Sequence, residues 1–495
     1  GADGGIFLNS IGTGGTTLNN ITESDGGNVL VSASENVTVA SVTNNANGAG
    51  DTTIEVTGAD IVVNDNALDN VGDGGGDDNV TLTANGGTAD ITVNVVNNAN
   101  INTFDINAGG VGGLAGSFSA TNAALTVDSD STPAQLANGT VTANTIEVND
   151  AAQVSTDVTF TGTNVTFNDT LDSDGGSDDA ATVNGNAVFN GVVGGTTALD
   201  FLSVAGTANL NTTAVNTDNS GGSGNQTFGG DLTLNQNVTF TANGGGSIAF
   251  NGNVTGNSNS FTANSANGLV TFGDAAGDQI TGVTTLEATG PTAINAGTVT
   301  AQLTQDYNSA VAINEDSTLT AGTNITFDST IDADAAGGAS LILNASGTTT
   351  FSDTVGATNA LANLTTDATG NTAINGGAVT TTAAQAYNDS VTLGADTMLS
   401  GTDLTFADTV DGARALTING SGTTTLGGAV GSTNALTSVT TDAAGDTSIN
   451  GATVVTSTGQ TYDDNVTLGA NTTFSNTNTL GQIQFSSINA NSFDL

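Results

Sequence analysis

Apolar and polar positions alternate over short stretches along the chain. Thr53–Val56 (TIEV), Val80–Thr83 (VTLT), Asp90–Val95 (DITVNV) and Val238–Thr241 (VTFT) are rich in β-branched residues, with an apolar side chain at every second position and Gly or Asn nearby. A period of two belongs to a strand with one buried face, and Gly and Asn turn the chain. No stretch keeps helical periodicity with good helix formers; Ala-rich pieces such as Thr382–Ala386 are too short to nucleate a helix. The pattern predicts an all-β protein of short strands and tight turns.

The alternation itself recurs. A Phe closing a V/I/L-x-F strand stands at Phe167, Phe250, Phe327, Phe406 and Phe485, at intervals of 83, 77, 79 and 79. The three tyrosines, Tyr307, Tyr387 and Tyr462, share one slot in QDYN, QAYN and QTYD, which Phe228 of QTFG fills one copy earlier. Thr292, Thr372 and Thr447 open TAIN, TAIN and TSIN. These landmarks set a long repeat of about 79 residues. NVTFNDTLDS at Asn164 is accordingly restated two copies later as NITFDSTIDA at Asn324. A finer step lies inside, because LTFADTVDG from Leu404 is echoed almost at once by TTLGGAVGS from Thr424. That step of about 20 residues divides each long repeat into about four short turns. Val31, Val56 and Leu82 keep a related beat, at intervals of 25 and 26. Two arrays are expected, 1–110 with a step near 25 and 111–495 with the long repeat, meeting at the glycine-rich run 109–116.

A step of about 20–25 residues cannot enclose a core and must bury its apolar side chains against its neighbours. The expected fold is a parallel β-solenoid, with equivalent strands about 4.8 Å apart and like residues stacked in ladders. At about 20 residues per rung the chain would form an elongated rod on the order of 120 Å long. A propeller with two blades per long repeat is the competing arrangement, and the short sub-step and scarce aromatics favour the coil. The last line, IQFSSINANSFDL from Ile483, aligns with LTFADTVDGARAL from Leu404, so the final repeat is incomplete. Open parallel edges template association. The expectation is a piece of a longer protein, or an edge on which another subunit continues the stack.

Composition narrows the chemistry. With 48 acidic residues, one basic residue (Arg414), no His and no Cys, the formal charge is −47. Nucleic acid and anionic membranes are poor partners, because binding phosphate requires clustered cations. Zinc, haem and iron–sulfur centres lose their usual ligands, and thiol or His nucleophiles are missing. The apolar runs are too short to span a bilayer. No Lys- or Arg-led leader opens the chain at Gly1, as expected also after a leader's removal. Such acidity suits a secreted, salt-bathed surface.

Three acidic, glycine-rich inserts are candidate cation sites: Asp73, Asp77 and Asp78; Asp172, Asp174, Asp178 and Asp179; Asp332 and Asp334. Carboxylates are the hard oxygen ligands Ca²⁺ prefers. None of the inserts has EF-hand or nonapeptide spacing, so the plainer reading is polar corner loops with collective, weak Ca²⁺ binding. The neighbours Asp178/Asp179 and Asp463/Asp464 would point to opposite faces of a strand and do not make a glycosidase pair. Arg414 is expected to be a surface side chain paired with Asp411 or Asp408. Thr348–Thr350 and Thr423–Thr425 suggest a hydroxyl array for ice or glycan, against the plainer reading of ordinary strand residues. The tyrosine slot is read as a core or corner stack before a sugar platform, and triplets such as Asn79-Val80-Thr81 follow from composition.

The alternation of VTL, LTI and TTF strands with Asn, Gly and Asp corners, in long degenerate copies, resembles the right-handed parallel β-helix of filamentous haemagglutinin-type bacterial surface proteins over nearly all 495 residues. The resemblance implies a secreted rod used in adhesion, biofilm or cell-surface architecture. Together with the open edge, the chain is read as a non-enzymatic segment of an extracellular filament, matrix fibre or adhesin stalk that assembles end to end with its own copies. The alternatives on the same fold are a glycan- or surface-binding adhesin module and a polysaccharide-degrading enzyme.

Overall fold

The computed structural model describes residues 6–10, 14–23, 28–44, 53–68, 70–71, 78–84, 89–98, 100–129, 133–137, 139–176, 179–219 and 223–494. The chain divides into two compact units, Gly1–Ile248 and Ala249–Leu495. Each is a parallel β-solenoid, with about 20 turns in all. Among the described residues the one helical element is a single 3-10 turn, Asn243–Gly245.

Three ladders of parallel strands wall each unit. In the first unit one wall runs from Val29–Ala33 through Thr53–Gly58 and Asp78–Ala84 to Ile101–Ala108. A second runs from Thr16–Leu18 through Val37–Val39, Ile61–Val63 and Ile91–Val93. Gly112–Leu114, inside the run 109–116, continues this second wall between Ile91–Val93 and Ala134–Leu136. Further on, strands such as Val158–Phe167 and Ala180–Phe189 serve two walls and bend between them. The bend sits on stacked glycines: a Cβ on Gly206 would stand 2.5 Å from the Gly185 carbonyl, and one on Gly230 2.6 Å from that of Gly206. No side chain fits where one corner lies directly on the next.

Inward positions carry the predicted apolar ladders. In Val158–Phe167, Val158, Phe160, Val165 and Phe167 are buried while Thr159, Thr161 and Thr163 face outward. Rings at equivalent positions lie face to face, as in Phe167 on Phe189 at 5.5 Å and Tyr307 on Phe327 at 5.1 Å, close to the spacing of neighbouring strands. The corner after each such strand carries an Asn, and Asn168, Asn190, Asn211 and Asn235 each donate a side-chain amide to the Asn one turn earlier, beginning at Asn149. Predicted strands fall inside observed ones, except that Asp90–Val95 contracts to Ile91–Val93.

The second unit shows how the long repeat relates to the walls. Gln305–Tyr307 lies between Leu286–Ala288 and Ile325–Phe327. After it come Val311–Ile313, Ser317–Ala321, Ile325–Phe327, Ile331–Ala333, Leu341–Ala345, Thr348–Phe351, the single bridge residue Val355, Leu364–Thr366, Asn371–Ile374 and Ala378–Thr380, and the eleventh segment is Gln385–Tyr387. Gln385–Tyr387 sits on a different wall, between Leu364–Thr366 and Leu404–Phe406. Eleven further segments lead to Gln460–Tyr462 on the remaining wall, between Val439–Thr441 and Ile483–Phe485. With three segments per turn, one long repeat is therefore eleven thirds of a turn. This refines the expected figure of about four, and each copy begins one wall away from its predecessor.

Candidate functional site

The polar groups inside the walls are the first candidates for chemistry. Gln305 donates its amide to the carbonyls of Val299 and Thr320 at 3.0 and 2.8 Å, and Tyr307 donates its hydroxyl to Gln305 Oε1 at 2.9 Å. Gln385 with Tyr387 and Gln460 with Tyr462 repeat the arrangement. All three tyrosines are fully buried. Burial raises their phenols far above the ordinary value, so they remain proton donors. The slot is the expected core stack and presents no ring to a sugar.

Two residues beyond Tyr387 and Tyr462 stand the buried acids Asp389 and Asp464. Asp389 accepts hydroxyl hydrogen bonds from Thr366 and Thr372, and Asp464 from Thr441 and Thr447, at 2.6–2.9 Å. Burial raises the Asp389 carboxyl, with the two Thr hydroxyls opposing the rise. Asp463, the neighbour of Asp464, is exposed, so adjacent acids do point to opposite faces.

Each described carboxylate of the acidic inserts has one oxygen engaged by a neighbouring group. Asp73, Asp77 and Asp178 lie outside the described residues; Asp78 opens the strand Asp78–Ala84, and its side chain lies outside them too. Asp332 Oδ1 accepts the amide N–H groups of Thr358 and Asn359, and Asp172 Oδ1 that of Thr196. Asp334 and Asp174 cap their own turns through Ala335 and Gly176. Asp179 is 0% exposed; its Oδ2 accepts from Ser173, while its Oδ1 has no partner. Burial raises this carboxyl, Ser173 opposes the rise and Asp174 adds to it. The Asp200 side chain, not singled out in the sequence, accepts the Asp179 N–H from the following turn. Among the described residues no three His, Cys, Asp or Glu side chains form a metal-holding group.

Elsewhere Asp and Asn side chains bind the backbone of the adjacent turn. Oδ1 of Asp60, Asp90, Asp316, Asp396 and Asp403 accepts N–H from Asp90, Val111, Ser340, Ala415 and Thr423 respectively. A short carboxylate reaches one strand spacing; this explains a preference for Asp over Glu. Arg414 is not paired with Asp408 or Asp411 as expected. Its Nε donates to the Gly394 carbonyl, while those two acids bind Thr409, Thr433 and Asn434 amides. In the Thr runs, Thr349 and Thr424 point inward and their neighbours outward, as in ordinary strands.

The outer faces carry shallow grooves. One of about 380 Å³ is lined by Asp316, Thr318, Ser340, Ile342, Asn363 and Thr365. A second, of about 170 Å³, is lined by Asp396, Met398, Ala415 and Thr417, the counterparts of Asp316, Thr318, Ser340 and Ile342 one copy later, on the next wall. Each exposes one large apolar side chain, Ile342 or Met398.

No known family model, curated protein or solved structure matches the chain. Among the described residues no helix is long and apolar enough to cross a membrane.

Proposed function

We propose that this chain is a structural segment of an extracellular filament, matrix fibre or adhesin stalk, of the kind its resemblance to filamentous haemagglutinin-type proteins implies. The supporting observation is the continuous in-register pairing of its three walls, in which each turn provides the edge for the next. Side chains that could carry chemistry are engaged within these walls: Asp on amides of the next turn, Gln on carbonyls of neighbouring strands, and Tyr on the Gln side-chain oxygen. The role is mechanical and non-enzymatic, and the same edge pairing extends the stack end to end with further copies. Charge of one sign keeps neighbours apart until salt or divalent cations screen it.

Electron microscopy of native, secreted material tests this. Continuous fibres are expected; dispersed single particles at every concentration overturn it. Ca²⁺ enters as a weak, collective neutraliser of outward carboxylates, and a calcium titration that leaves Tm unchanged removes that part.

The recurrence of one groove at equivalent positions favours a second reading, an adhesin face for uncharged glycan. An array of neutral glycans without a hit leaves the structural role alone.

A further inference from the structure

Asn followed by Gly is the sequence most prone to spontaneous loss of the side-chain amide, because the small Gly lets its backbone nitrogen reach Asn Cγ. Eight such steps have both residues described: Asn184, Asn190, Asn243, Asn251, Asn267, Asn375, Asn419 and Asn450. The reaction needs two freedoms, an undonated Gly N–H and a mobile Asn carboxamide. Hydrogen bonding withdraws either one unless the turn opens locally.

Five steps are held. Gly268, Gly420 and Gly451 donate their N–H to Ser265 Oγ, Asp442 Oδ1 and the Leu426 carbonyl at 3.0–3.2 Å. Asn184 donates its carboxamide to Thr161 Oγ1 at 3.5 Å, within the strand Ala180–Phe189. Asn190 is pinned in the asparagine ladder, donating to Asn168 at 2.7 Å and accepting from Asn211 at 2.5 Å. The other three differ. Asn243, Asn251 and Asn375 lie outside strands at corners, and among the described residues neither their carboxamides nor the N–H groups of Gly244, Gly252 and Gly376 have a hydrogen-bond partner. Asn243 and Asn375 are exposed, and Gly244 has φ 71° in the turn Asn243–Gly245. Asn375 and Asn450 occupy the same slot of successive long repeats, in TAINGG and TSINGA, and differ in the N–H bond at Gly451.

We propose that Asn243, Asn251 and Asn375 are built-in deamidation sites and that the solenoid protects the other five. The Gly nitrogen attacks Asn Cγ, forming an N–Cγ bond; the Cγ–Nδ2 bond breaks and ammonia leaves, giving a succinimide. Water then opens either carbonyl to Asp or isoaspartate. Each event adds one carboxylate to a chain already at −47, and isoaspartate adds one methylene to the backbone of a corner. Age would thus be recorded at three corners.

The test is mass spectrometry on the full chain aged in mildly alkaline buffer, after digestion with pepsin because Arg414 is the one tryptic site. Asn243, Asn251 and Asn375 should convert at least about tenfold faster than Asn190 and Asn450, which corresponds to about 1.4 kcal/mol of local opening. In urea all eight should converge. Asn375→Gln should remove its own product and leave the others unchanged. Asn211→Ala, which loosens the asparagine ladder, should speed conversion of Asn190 alone. Equal rates for Asn375 and Asn450 in the folded chain overturn the proposal, as does survival of Asn243, Asn251 and Asn375 while the unfolded chain reacts.

Discussion

Gln226 occupies the slot that Gln305, Gln385 and Gln460 fill later, yet its Oε1 is buried without a donor. The cause is Phe228, which stands where those copies carry a tyrosine hydroxyl. Phe228→Tyr should therefore stabilise the protein by about 1 kcal/mol and Tyr387→Phe should destabilise it by about 1–2 kcal/mol, both read from urea unfolding curves. Asp179 presents the same defect with a charge. Its carboxyl is raised by burial, so the folded state holds the proton to a higher pH than the unfolded chain does. Its contribution to stability is complete below the ordinary carboxylate range and is lost as pH rises through the raised value. Asp179→Asn should raise Tm at neutral pH and flatten the decline of Tm between those two values; an unchanged slope would show that Asp179 does not carry it. Asp389, also raised, retains part of the slope.

The strands and ladders were the most legible elements, because alternation in stretches such as VTFT states which side chains face inward. The aromatic stack is the clearest case. Phe327→Ala, between Tyr307 and Phe351, should cost about 3–5 kcal/mol and speed amide exchange first in the turns above and below, whereas outward Thr326→Ala should stay within about 0.5 kcal/mol. Turn count was less legible. Val355 and Val430 complete walls as single bridge residues, and one valine among Gly, Ala and Thr carries no strand signature. The work of Asp was hidden as well: a carboxylate in a polar loop reads alike whether it is solvated or holds an amide of the next turn, and only the fold brings Asp316 to Ser340 or Asp332 to Thr358 and Asn359.

Across the whole molecule, 48 acids against one cation leave self-repulsion that bound protons or salt must relieve. Tm should rise steadily as NaCl is added through the range where the screening length falls from about 30 Å to about 8 Å, and a flat response would mean that the Asp-to-amide bonds between turns, not the field, set stability. The eleven-segment copy has a consequence for how such a chain can grow. All three walls accept the same interior residues, so duplicating or deleting one whole copy keeps the hydrophobic seam continuous. It nevertheless advances everything downstream by one wall, as a thread marked every eleven thirds of a revolution carries its mark to a new side at each pass. Lineages that gain or lose single copies would reorient every later surface feature while preserving the interior, and only changes in threes would restore the original aspect.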